Sequence, residues 1–202
     1  MLWILLGIAA IILWVVFRQK TRTTVDLSML PERFVVFDLE TTGLRPDRNK
    51  IIEIGAIRAH RDSIHHDTLQ ALIKIKGTVP AKITEITGIT DAILDSSGEP
   101  LDKALDEFVA FVGDLRLVSF NAEFDMGFLD AALDACGKPR LKNPVSCALE
   151  MSRRAWPGRK SYKLKELAKD GQLEAQTHRA LGDCQLAMMV YAGAATKLRR
   201  AS

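Results

Sequence analysis

Phe34-Val35-Val36-Phe37 is an unbroken apolar run of β-forming residues, and it ends on Asp38-Leu39-Glu40. A strand with no polar residue on either face must lie inside a sheet covered on both sides, so the chain needs layers above and below it. Thr41-Thr42-Gly43 then supplies turn chemistry. Period-two geometry sends the Asp38 and Glu40 side chains to one face of the strand end. Two carboxylates so close repel unless a cation neutralises them or one takes up a proton. Taken alone the pair leaves two readings open: part of a metal site, or two surface acids beside a turn.

The remaining pattern sets that strand in an α/β domain. Ile51 to Ala59 and Leu69 to Ile75 read as two further strands, forming a meander with the first. Pro80 opens a short helical stretch that Gly88 closes. From Pro100, Leu101, Ala104, Leu105, Phe108, Val109 and Val112 recur at helical spacing until Gly113. Leu115–Phe120 reads as a buried strand, and Ala122–Ala135 as an amphipathic helix stopped by Gly137 and Pro139. Helical pieces follow near 146–155, 163–169 and 180–199. Strands first, then a strand alternating with helices, predict a mixed sheet.

The first 22 residues stand apart. Leu2 to Phe17 carries no charge and no proline, with Trp3 and Trp14 near its ends. A helix through Met1–Phe17 reaches roughly 25 Å, just short of a hydrocarbon core, and snorkelling of Arg18 and Lys20 can make up the difference. Charge follows the apolar run rather than preceding it, and Phe17-Arg18-Gln19-Lys20 is a poor cleavage site, so a membrane anchor is favoured over a signal peptide. The expected organisation is a transmembrane anchor over 1–17, a basic juxtamembrane linker over 18–31 and a catalytic domain over 32–202. The positive-inside rule then makes the protein single-pass, with that domain in the cytoplasm.

Charge on the rest of the chain is balanced. Of 28 Lys and Arg, three (Arg18, Lys20, Arg22) belong to the stem, leaving 25 against 25 Asp and Glu. Bulk charge therefore gives no case for nucleic-acid binding, and any such case must rest on local patches. Cys136, Cys147 and Cys184 form no C-x-x-C pair, which argues against a disulfide framework or a zinc site.

Further acidic residues stand at element junctions. Asp125, in Asn121-Ala122-Glu123-Phe124-Asp125, falls on the first turn of a helix that follows a buried strand. His178 and Asp183, in His178-Arg179-Ala180-Leu181-Gly182-Asp183, open the last long helix. Five residues along one helix would separate their side chains by roughly 140°, so His178 must sit in the loop before it if both serve one site. Four carboxylates converging from such junctions suit two Mg²⁺ or Mn²⁺ ions about 4 Å apart, a clamp for phosphodiester chemistry. A histidine beside them can take the proton from an attacking water.

In order and composition, Phe37-Asp38-Leu39-Glu40-Thr41-Thr42-Gly43-Leu44, Asn121-Ala122-Glu123-Phe124-Asp125 and His178-Arg179-Ala180-Leu181-Gly182-Asp183 resemble the three motifs of DnaQ-like exonucleases. These are the DEDD exonucleases of the histidine subtype, which include the proofreading epsilon subunit of bacterial DNA polymerase III. The resemblance covers roughly residues 33–195 and implies a ribonuclease H-like fold, a five-stranded mixed sheet flanked by helices. It implies that Asp38, Glu40, Asp125 and Asp183 hold two divalent metals, Asp38 bridging both, with His178 as general base. It implies contacts to the 3′ end of single-stranded DNA or RNA from Thr41, Thr42 and Asn121, with Leu44 as a wedge under the last base. Two positions depart from many relatives: Phe120 replaces a histidine, and Thr87-Gly88-Ile89-Thr90 stands where His-Gly-Ile-Thr is frequent.

The expected activity is 3′→5′ hydrolysis of single-stranded DNA or RNA to nucleoside 5′-monophosphates. Alternatives are an oligoribonuclease-like RNA-trimming enzyme and a membrane-tethered binding module without turnover. Between Met151 and Asp170 seven bases and two acids surround Trp156 and Tyr162, which suits either a groove tracking a single-stranded backbone or a solvated basic face. His60, His65 and His66 have no ligand spacing, and no polymerase- or clamp-binding segment is evident.

Overall fold

The computed structural model describes residues 30–171 and 178–199. The anchor expected over 1–17 and most of the linker lie outside those residues. Among the described residues no helix is long and apolar enough to cross a membrane.

Five strands form one sheet: β1 (Arg33–Thr41), β2 (Ile51–His60), β3 (Asp67–Leu72), β4 (Arg116–Ser119) and β5 (Val145–Cys147), in the order β3-β2-β1-β4-β5. β1 pairs antiparallel with β2 and parallel with β4, so the sheet is mixed and β1 is its centre. The apolar run explains this position, since Phe34 to Phe37 are at most 2% exposed. A sheet with helices on both faces covers such a strand completely.

Seven helices are described: α1 (Ala81–Thr87), α2 (Asp91–Ser97), α3 (Leu101–Val112), α4 (Ala122–Ala135), α5 (Ala148–Ala155), α6 (Leu164–Asp170) and α7 (Ala180–Arg199). Odd-numbered residues of β1, namely Val35, Phe37 and Leu39, face a core filled by α3 and α4. Phe37 meets Phe108 of α3 with ring centroids 5.5 Å apart. Phe34 and Val36 face the other way, onto α5 and α7, where Phe34 meets Tyr191 edge-on. Leu30 is buried in that second core, so the folded unit includes part of the stretch read as linker.

Three elements differ from the sequence reading. The third strand covers 67–72 rather than 69–75: the Ile73 N–H still donates to the Ile52 carbonyl of β2 at 2.9 Å, but Ile73 forms only an isolated parallel bridge, to Glu99, on its other side. β5 stands where only a helix was expected; its three residues owe their conformation to parallel pairing with β4. α2 was not anticipated, although the Thr90 side chain caps it by accepting from the Ile93 N–H.

Candidate active site

The site lies at the end of β1, where the central strand leaves the sheet. Asp38 and Glu40 alternate with buried Leu39 and Thr41, so both carboxylates share the face that carries α7. A register shift between Glu40 and Thr41 ends the regular pairing with β2 at that point. Such an irregularity re-aims side chains at a sheet rim.

α7 delivers the third carboxylate. Asp183 is buried in its first turn, and one carboxylate oxygen each from Asp38, Glu40 and Asp183 lie within 4.8 Å of one another. An all-oxygen donor set at this spacing fits a hard divalent cation such as Mg²⁺ or Mn²⁺. Asp125, at the start of α4, is not within that group of three but lines the same cavity. Its Oδ1 accepts from the Leu39 N–H at 3.2 Å and its Oδ2 from the Ser119 hydroxyl. Those bonds tie α4 to the ends of both β1 and β4.

His178 sits in the loop before α7, as the angular argument required. Its φ of 51° is the only positive value among the described non-glycine residues. Left-handed backbone at a non-glycine position costs energy and survives where the surroundings fix it. Residues 172–177, just before His178, lie outside the described residues. His178 lines a cavity of about 420 Å³ together with Asp38, Asp125, Asp183, Asn121 and Lys163.

Electrostatics reflect the crowding. Burial, followed by the charges of Asp125, Asp183, Glu40 and Glu53, holds the Asp38 carboxyl well above its ordinary range. Glu40 is pushed up from 4.5 to about 8, first by burial and then by Asp183, Glu53 and Asp125. Asp125 rises from 3.8 to about 7 through burial, opposed by its hydrogen bonds from Ser119 and Leu39. Without a cation these groups prefer to hold protons; a divalent ion would neutralise the same repulsion.

The expected substrate contacts divide. Leu44 is 82% exposed, an apolar side chain projecting from the loop between β1 and β2. Asn121 is exposed at the cavity. Thr41 and Thr42 brace the Leu44 loop: Thr41 Oγ1 donates to the Gly43 carbonyl at 2.6 Å, and Thr42 Oγ1 accepts from the Lys50 N–H. Phe120, the position read as replacing a histidine, lines the cavity and gives it an apolar patch there.

The basic stretch supplies less free charge than its composition suggests. Arg153 pairs with Glu150 and Arg159 with Asp170, while Lys163 and Lys165 reach the cavity. Its aromatics are structural. The Tyr162 hydroxyl donates to the Trp156 carbonyl, and Trp156 packs against the core formed by α6 and α7. His60, His65 and His66 lie far along the chain at the other end of β2, where His60 stands 3.5 Å from Glu32.

Two residues at the site were overlooked in the sequence. Glu53 of β2 is fully buried, and Arg179 forms a bidentate ion pair with it. The signal was present: Glu53 is a lone acid inside Ile51-Ile52-Glu53-Ile54-Gly55-Ala56-Ile57. An acid in such a strand needs a partner.

Comparison with known proteins agrees with this arrangement. Residues 35–191 match the exonuclease family. Over 160 residues the chain is 39% identical to the PolC-type DNA polymerase III of Halalkalibacterium halodurans, covering 79% of this chain but 11% of that protein. It is 33% identical to the DNA polymerase III epsilon subunit of Aquifex aeolicus, covering 81% of each. Among solved structures, E. coli exonuclease I in complex with a dT13 oligonucleotide superposes with a TM-score of 0.74 at 18% identity, over 85% of this chain and 42% of that one. The fold is therefore that of these nucleases, and the chain belongs to the exonuclease family.

Proposed function

We propose that the protein is a divalent-metal-dependent 3′→5′ exonuclease that removes nucleoside 5′-monophosphates from single-stranded DNA. The observation that carries this reading is the meeting of Asp38, Glu40 and Asp183 oxygens within 4.8 Å, at a cavity lined by Asp38 and Asp183 together with His178 and Asp125. Bound there, divalent cations would neutralise charge developing on the phosphate and make the attacking water more acidic.

The chain's own residues divide the remaining work. Asp38, Glu40 and Asp183 supply the oxygen ligands, with Asp125 completing the set from α4. His178, held in its loop at the cavity, takes the proton of the attacking water. Lys163 and Lys165 draw the phosphate backbone toward the acidic cluster. Leu44 meets the terminal base from a loop braced by Thr41 and Thr42, and Asn121 offers polar contact at the cavity. The choice of DNA is supported by the DNA polymerase III relatives and by the oligonucleotide complex of exonuclease I. Attachment to the cytoplasmic face of a membrane is part of the proposal, supported by the uncharged run Leu2 to Phe17 and the bases that follow it.

One experiment tests both parts. The full chain and its Asp38→Ala variant are expressed, membrane and soluble fractions are separated, and each receives a 5′-labelled single strand with Mg²⁺ or Mn²⁺. Stepwise 3′ shortening by the wild type alone, concentrated in the membrane fraction, is expected. Equal shortening by Asp38→Ala would overturn the active site, activity confined to the soluble fraction would overturn the tether, and faster digestion of a matched RNA would reassign the substrate.

A further inference from the structure

Glu53 stands directly opposite Glu40 in the antiparallel register of β1 and β2. Directly opposed side chains share a face at close range, and two like charges there are unfavourable. Glu53 nevertheless keeps a carboxylate with every oxygen occupied. Oε1 accepts from Gln70 Nε2 at 2.8 Å and from Arg179 Nη2 at 2.5 Å, and Oε2 accepts from the Ala180 N–H at 3.0 Å. Arg179 Nε lies 3.1 Å from both oxygens. Although burial pushes the Glu53 carboxyl upward, these donors outweigh it and hold the group below its ordinary value.

The ion pair between buried Glu53 and a partly exposed Arg179 is a weak device for stability, because desolvation offsets much of the attraction. Its placement here is more informative. Arg179 and Ala180 are the two residues that follow His178, and the Asp183 N–H donates to the Arg179 carbonyl at 3.0 Å. The residue carrying the ion pair is therefore also the one on which the turn bearing Asp183 is built. Two positions along β2 from Glu53, Gly55 leaves room for the α7 backbone: an added Cβ would lie 2.5 Å from the Ala180 carbonyl carbon. Cys184 Sγ donates to the Gly55 carbonyl at 3.3 Å. Glu53 and Gly55 together seat the N-terminus of α7 on the sheet.

We propose that Glu53, with Arg179, is a positioning pair for the exonuclease reaction: it latches the start of α7 to β2 and thereby aims His178 and Asp183 at the carboxylates of β1. The proposal rests on the exonuclease reading above. Neither residue touches the reacting phosphate; each acts through its neighbours. Loosening the latch should spoil the alignment of base and ligand while leaving the surfaces that hold the single strand in place. The expected signature is a fall in kcat with little change in KM.

The test compares wild type with Glu53→Gln, Arg179→Gln and Arg179→Lys. Two readouts are used: steady-state hydrolysis of a 5′-labelled single strand, and hydrogen–deuterium exchange of the metal-free protein over residues 178–186. Glu53→Gln and Arg179→Gln should each lower kcat about tenfold or more with KM within about twofold. Both should speed exchange in 178–186 without changing exchange in β1 and β4. Arg179→Lys keeps the charge with a single ammonium in place of the planar fork, so it should fall between wild type and Arg179→Gln. Unchanged kcat, unchanged exchange in 178–186, or an effect confined to KM overturns the latch. If Glu53→Gln fails to fold, the ordering of the two Arg179 variants decides, and equal kcat in both refutes it. If the wild type leaves the single strand intact, the exonuclease reading falls by itself, and the exchange measurement alone decides whether the latch holds α7.

Discussion

Four carboxyl groups from three elements crowd the end of β1, and their protonation links catalysis to stability. Glu40 at about 8 and Asp125 at about 7 both lie above their ordinary values, so the folded protein holds protons that the unfolded chain releases. The stabilisation from these protons is complete below the ordinary carboxylate range and is lost as pH rises through about 7 and then about 8. The metal-free protein should therefore melt at progressively lower temperature between about pH 5 and pH 9. A divalent cation takes over the neutralising role, so Mn²⁺ should raise the melting temperature more on the alkaline side than near pH 5. Thermal melts with EDTA and with Mn²⁺ across this range are the check; a metal-free melting temperature that stays level or climbs with pH contradicts the crowding. At this scale the sequence was legible where periodicity acts. Asp38 and Glu40 share a face because strand side chains alternate, and His178 precedes its helix because five helical residues cannot bring it beside Asp183. Glu53 went unread because its partner lies 126 residues away and only the folded sheet brings the two together.

Elements deliver those residues, and β2 and α7 meet in a close joint of that delivery. Gly55→Ala would put a methyl group 2.5 Å from the Ala180 carbonyl carbon and 2.6 Å from the Leu181 nitrogen. Backbone atoms on a paired strand and in a packed helix have little freedom to retreat, so α7 must lift or tilt. Overpacking of this kind costs about 1–3 kcal/mol. Urea denaturation of Gly55→Ala should show a loss in that range, with kcat reduced because Asp183 moves with the helix. Stability within about 0.5 kcal/mol of wild type would mean that the joint is looser than the close approach indicates. Longer elements were readable in advance: α3 and α4 follow from apolar periodicity bounded by proline, glycine and cap residues. Short ones were not. β5 exists through three parallel pairings with β4, and β3 ends where Ile73, still bonded to Ile52, takes up a second bridge to Glu99. No local preference encodes either event.

Across the whole molecule, balanced charge is reconciled with a polyanionic substrate by placement. Acidic side chains concentrate inside the cavity, where cations can offset them, while Lys163 and Lys165 stand at its wall beside His178. Of the seven bases in the segment from Met151 to Asp170, Arg153 and Arg159 are engaged with acids, which narrows the surface left for phosphate contact. Two lysines contacting backbone phosphates would displace condensed counterions, and for single strands each contact contributes about 0.7 to the slope of log K against log salt. Lys163→Ala/Lys165→Ala, built on Asp38→Asn to prevent turnover, should therefore bind a fluorescent single strand more weakly at low salt. The magnitude of its salt slope should fall by about 1.4 relative to Asp38→Asn alone. Anisotropy titrations over a range of salt concentrations measure both quantities. Weaker binding with an unchanged slope would point to lost packing around α6 rather than lost phosphate contacts, and unchanged binding would move the strand's path away from this wall.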